Sequence, residues 1–164
     1  GEPTRTIPHR QGLIRLWEDR LRNNLEPDPA AREQRMLRIG KEHSNLGRLG
    51  ASGAWEQAES WSAQLRRSEN PLIQREALLL GGEAAGALQA HERSVAAYLQ
   101  LTYFHAEGLN ENQKFTAWQR MGLSYESLGR INDAKAIYTK ISNELSDPQM
   151  KQAADNALQR LEGK

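Results

Sequence analysis

Apolar residues recur along this chain at steps of three and four and almost nowhere alternate. Leu13, Leu16, Trp17, Leu21 and Leu25 mark one stripe, Met36, Leu37 and Ile39 a second, and Trp55, Ala58, Trp61 and Leu65 a third. Such steps place side chains on one face of a helix, whereas a strand places them at every second residue. The breaks carry residues that stop and start helices. In "EPDP", Asp28 can accept backbone N–H bonds as a cap, and Pro29 suits the first helical position, where its missing N–H would have had no partner. "GASGAW" ends the second stripe and "SENP" the third, with Pro71 again at a helix start. Beyond it the pattern predicts helices over 71–87, 91–106, 111–128, 131–145 and 148–162, interrupted near His91, in "EGLNEN", at "GRIND" and at "SDP". The opening "PTRTIP" reads as an extended arm. The expectation is one all-α domain over 1–164, about eight helices joined by short loops.

Sliding the sequence against itself by 40 residues lays "REALLLGGEAAGALQAHERSVAAYLQL" over "FTAWQRMGLSYESLGRINDAKAIYTKI". Ala77/Ala117, Gly82/Gly122, Leu88/Leu128, Ala96/Ala136 and Tyr98/Tyr138 coincide, and these matches are read as packing positions. In the later copy Trp118, Met121, Gly122 and Tyr125 share one helix face, and Ala134 and Tyr138 lie four apart on the next helix. A small residue lets two helix backbones approach while a large neighbour fills the space beside it.

In Trp118, Met121–Gly122, Tyr125, Gly129, Ala134 and Tyr138, with Pro148 soon after, the chain resembles the tetratricopeptide repeat. That helix–turn–helix unit places a large residue, Leu-Gly, Tyr, a turn Gly, then Ala and an aromatic at these spacings over about 34 residues. The stretch 111–145 is the best match. Residues 71–106 are a looser copy with Leu78, Gly81–Gly82, Ala85, Ser94 and Tyr98, and 29–67 a degenerate one with Gly53, Trp55, Ala58 and Leu65. Residues 1–27 would be an arm and helix outside the repeats, and 148–164 a closing helix that covers the last repeat with Ala154, Ala157, Leu158 and Leu161. The resemblance implies a right-handed α-solenoid of antiparallel helix pairs. It also implies a concave groove lined by the first helix of each repeat, which holds a peptide or partner helix. By position the groove residues are Glu76, Leu79 and Glu83 from the earlier copy and Thr116, Gln119, Leu123 and Glu126 from the later one.

Composition narrows the chemistry. Twenty-two Lys+Arg against 21 Asp+Glu leave a net charge of +1, and no residue is Cys. Disulfides, thiolate metal sites and thiol nucleophiles are therefore excluded. No apolar run approaches the ~18 residues of a spanning helix. His9, His43, His91 and His105 show no metal-ligand spacing and read as surface residues, and neither a phosphate-cradling loop nor a nucleophile elbow is present, so no metal, cofactor or catalytic residue is expected. Arg15, Arg20, Arg22, Arg32, Arg35 and Arg38 cluster early, but Glu18, Asp19, Glu33 and Glu42 interleave with them as ordinary i,i+4 pairs, which argues against nucleic-acid binding. Trp17 is assigned to the core because Leu13, Leu16 and Leu21 share its stripe. Acids in the expected groove favour a basic or neutral partner segment. The resulting expectation is a non-catalytic protein-interaction scaffold without membrane insertion, similar to repeat arrays of the bacterial envelope or periplasm. The rival readings are a helical accessory domain of a larger enzyme and a nucleic-acid-binding module.

Overall fold

The computed structural model describes residues 3–163, with side chains from residue 7 onward. Gly1, Glu2 and Lys164, the outer ends of the expected arm and closing segment, lie outside the described residues. Those described contain eight α-helices and no strand: α1 (Pro3–Arg22), α2 (Pro29–Arg48), α3 (Ala54–Leu65), α4 (Pro71–Ala87), α5 (His91–Phe104), α6 (Glu111–Ser127), α7 (Ile131–Glu144) and α8 (Pro148–Leu161). A single 3₁₀ turn, Ala106–Gly108, follows α5.

Local chemistry sets these limits. The carboxylate of Asp28 accepts from Ala31 N at 3.0 Å, Asn70 from Leu72 N at 3.0 Å, and Asp147 from Gln149 N at 2.8 Å, each one residue ahead of a proline. Asn110 and Gln113 form a reciprocal capping box at the start of α6. Gly50 and Gly53 hold φ of 81° and 72° between α2 and α3, and Gly129 holds 70° between α6 and α7. A side chain at these angles would press on the following carbonyl, which is why glycine is found there.

The N-terminal reading needs correction. "PTRTIP" is not extended: α1 starts at Pro3 and runs through Pro8. Pro8 removes one helix hydrogen bond, but the fixed φ of both prolines is itself helical. The helix stops at Arg22, so Leu25 falls beyond it, and both Leu25 and Leu16 are exposed. The inward face instead carries Ile7, Ile14, Trp17 and Leu21, packed with Ile39 and Leu46 of α2. Residues seven apart return to nearly the same face after two turns, and that spacing outcompetes the Leu13–Leu16–Leu25 set.

The chain divides into two compact units, Gly1–Leu88 and Gln89–Lys164, with the boundary inside the stretch 71–106. In unit 1 successive helices run antiparallel. A Cβ built on Gly47 would lie 2.5 Å from the Trp55 ring, and one on Gly40 would lie 3.2 Å from Trp61 Cβ and 2.6 Å from Leu80 Cδ2. Thus α2 passes α3 in opposite sense, and Leu80 of α4 lies on the α2 backbone. Ser62, fully buried on α3, donates to the Ala77 carbonyl at 2.7 Å. The arginines of α1 and α2 pair mainly between segments rather than at i,i+4: Arg10 with Glu42, and Arg35 with Glu26. Those acids lie across the α1–α2 hairpin, where two carboxylates can be reached without both belonging to one helix face.

Unit 2 packs α5 on α6, α6 on α7 and α7 on α8. A Cβ on Gly122 would lie 2.5 Å from Tyr138 Cζ, so the small residue of α6 admits the ring of α7. Trp118, Met121, Gly122, Tyr125, Ala134 and Tyr138 are all buried, as the spacing predicts. The repeated Ala96 and Ala136, however, are both exposed, so that identity does not arise from packing.

The two units repeat the same contacts. In unit 1 Ser68, ahead of α4, donates to Glu33 of α2; in unit 2 Ser146, ahead of α8, donates to Glu111 of α6, and both bonds span 35 residues. Arg48 of α2 grips Glu83 of α4 through both oxygens at 2.6 and 2.8 Å, and Glu126 of α6 is gripped by Arg160 of α8 at 2.5 and 2.8 Å. Buried Ala58, Ser62 and Leu65 of α3 correspond to buried Ala134, Tyr138 and Ile141 of α7. These correspondences match α2–α3–α4 with α6–α7–α8.

Candidate functional site

Unit 2 contains a cleft of about 320 Å³ between α6 and α8, with α7 as its floor. Phe115 and Leu123 of α6 form an apolar wall, the buried Ile141 of α7 lies beneath, and Ala153, Ala154 and Ala157 of α8 leave the space unfilled. Gln119, Asn156 and Arg160 are its polar lining apart from the Tyr138 hydroxyl.

The correspondence between units explains why a cleft is here. In α2, Lys41 pairs with Glu76 of α4 at 2.6 Å, and Leu80 sits on Gly40. The matching positions in unit 2 are Gln119, Ala153 and Ala157. An ion pair and a leucine are thus replaced by an amide and two methyl groups, and the space between the first helices stays open.

Charge in the cleft is already balanced. Tyr138 donates its hydroxyl to Glu126 Oε1 at 2.7 Å, and Arg160 spans both oxygens of the same carboxylate. Burial, then the hydrogen bond to Glu126, pushes the Tyr138 hydroxyl well above the usual phenol range. The bond to Glu126 likewise raises the Arg160 guanidinium. The hydroxyl therefore stays a neutral donor and Arg160 a fixed cation.

Gln119 differs from these. Half-buried on the cleft wall, its amide has no hydrogen-bond partner among the described residues. Asn156 accepts from Gln152 at 2.9 Å through its oxygen, and its NH₂ has no protein acceptor there. Gln119 is not among the buried polar atoms without a partner, which among the described residues are His43 Nε2 and His91 Nδ1, so its amide is open to solvent on the cleft wall.

Of the expected groove residues, Gln119 and Leu123 line this cleft. Glu126 reaches it only through Arg160 and Tyr138 and is a structural anion, its side chain 13% exposed, rather than a free groove charge. Thr116 is exposed, and its hydroxyl donates to Asn112 O of its own helix. Glu76 and Glu83 belong to unit 1, tied to Lys41 and Arg48, and Leu79 is half-buried there. Phe115, Ile141, Asn156, Ala157 and Arg160 were not anticipated as site residues. For Asn156, Ala157 and Arg160 the signal lay in α8, whose small residues face a helix that also presents a polar amide.

The histidines also depart from expectation. His9 lies on α1 rather than in an arm, and it alone of the four is exposed. His43 is largely covered, its Nε2 without a hydrogen bond and 3.8 Å from Glu18 Oε1. Burial lowers its pKa, partly opposed by Glu18. Among the described residues no three His, Asp or Glu side chains gather as metal ligands, and no helix is long and apolar enough to cross a membrane. No protein-family profile matches the chain, and no curated protein matches it.

Proposed function

We propose that this chain is a non-catalytic protein-interaction scaffold of tetratricopeptide-like solenoid architecture. The α6–α8 cleft receives a peptide or partner helix. One observation carries the reading: an open cleft of mixed apolar and polar lining, with the Gln119 amide on its wall, at a place where unit 1 fills the corresponding space. Pockets that hold ligands combine apolar lining with a few polar groups that orient the guest, in volumes from roughly 300 Å³ upward. Glu76, Glu83 and Glu126 are neutralised within the chain, so a neutral segment with a large apolar side chain suits the cleft better than a basic one.

Selection of a random peptide library on the full chain tests this. Enriched peptides should carry a large apolar residue and should bind Leu123→Arg at least about tenfold more weakly, because the cation intrudes on an apolar wall. Peptides that bind wild type and Leu123→Arg equally would remove the cleft from the account.

A further inference from the structure

Unit 2 carries a second unusual surface, on α5. Tyr103 and Phe104 are 80% and 72% exposed, and Leu99 one turn earlier is 44% exposed. The two rings meet edge to face, with centroids 4.9 Å apart at 82°. That arrangement is one that aromatic quadrupoles favour, and it places the two rings side by side on one surface. Two adjacent aromatic side chains this open to water sit outside the pattern of the chain, whose other aromatics are buried or half-buried.

We infer that this chain self-associates, the Tyr103–Phe104 ridge of one copy entering the α6–α8 cleft of another. The inference rests on the cleft being a protein-binding site, and it names the occupant. Three properties of the two surfaces support it. In size, the cleft of about 320 Å³ has room for aromatic side chains projecting from a partner segment. In polarity, the ridge bears no charge, and the one charged residue lining the cleft, Arg160, is already bound to Glu126, so contact strands no ion. In chemistry, a tyrosine hydroxyl can both donate and accept, which matches the open amide of Gln119 and the NH₂ of Asn156.

The ridge lies on the first helix of unit 2 and the cleft against the last. The contact is therefore heterologous, two different patches meeting, and the same chain can offer both at once. Its area sets its strength. Each aromatic ring buries roughly 150–250 Å² at most, so the ridge falls short of the ~800 Å² per partner of a stable complex. Association is accordingly weak and concentration-dependent.

Sedimentation velocity on the full chain, with circular dichroism on every variant, tests this. Wild type should be an 18.5 kDa monomer at low concentration, and its average mass should rise between about 10 µM and about 1 mM, the range of weak complexes. Tyr103→Ser/Phe104→Ser, which spoils the ridge, and Leu123→Arg, which spoils the cleft, should each stay monomeric. An equimolar mixture of the two should regain association, because each supplies the surface the other lacks, and it should stop at a 1:1 pair. Wild type that stays monomeric throughout, association that survives either variant, or a mixture that stays monomeric would each overturn the proposal. If peptides selected on the cleft still bind while the chain never self-associates, the cleft reading stands and only this occupant falls.

Discussion

Units 1 and 2 use the same framework and reach different surfaces. Each has a glycine of a first helix against an aromatic ring, though at different places in the register: Gly47 with Trp55 in unit 1, and Gly122 with Tyr138 in unit 2, where unit 1 has Ser44 and Ser62. In both, a serine ahead of the later first helix bonds an acid of the earlier one, and a two-point Arg–Glu bridge joins the same two helices, with the charges exchanged. They differ in filler. Lys41, Glu76 and Leu80 close unit 1; Gln119, Ala153 and Ala157 leave unit 2 open. Whether a helix stack carries a cleft is thus decided by a few side chains between first helices, while glycines, caps and bridges hold the stack in either case.

The comparison can be broken most forcefully at Tyr138. Tyr138→Ala removes the ring seated on Gly122 and the donor to Glu126, and should cost about 3–5 kcal/mol in urea unfolding; a loss below about 1 kcal/mol would mean unit 2 does not depend on that contact. Leu80→Ala should cost about 2–5 kcal/mol while giving unit 1 a space like that of unit 2. Gly122→Leu should cost about 1–3 kcal/mol by overpacking. Combined with Tyr138→Ala it should cost less than the two losses added, since the new side chain enters the vacated space. Additive losses would separate the two residues.

A smaller effect belongs to unit 1 alone. The folded state lowers the pKa of His43 from 6.5, so the unfolded chain binds the proton more readily. Stability from this group is complete above about pH 6.5 and falls as pH drops below it. His43→Gln should flatten the slope of unfolding free energy between about pH 7 and 5 relative to wild type. An unchanged slope would mean Glu18 fully offsets the burial.

Helices were the most legible part of the sequence, because their ends are set by local groups. Asp28, Asn70 and Asp147 with the prolines after them, and the glycines of "GASG" and "LGR", fix boundaries without help from distant residues. The stripe on α6 was equally readable, since Trp118, Met121, Gly122 and Tyr125 bury the face their spacing defines. The α1 face was not. Leucines at 13, 16 and 25 mimic a stripe, and only α2 selects the one through Ile14 and Leu21. Most of the cleft was hidden for a related reason: Gln119 and Leu123 stand where the tetratricopeptide resemblance puts the groove, whereas Ala153 and Ala157 matter only because no large side chain from another helix fills the space above them. Glu126 was misjudged because its partners, Tyr138 and Arg160, are brought to it by tertiary packing.

If the α6–α8 cleft is open to a partner because of its filler residues, side chains that close unit 1 should close it too. Rebuilding the unit 1 closure in unit 2, with Gln119→Lys, Ala153→Glu and Ala157→Leu together, tests it most directly. Peptides selected on wild type would be titrated against this variant by fluorescence anisotropy, with thermal unfolding measured alongside. The expected result is a folded protein, its stability within about 1.5 kcal/mol of wild type if the new side chains fit the vacant volume, and peptide affinity reduced at least about tenfold. A folded variant that binds those peptides as tightly as wild type would contradict it.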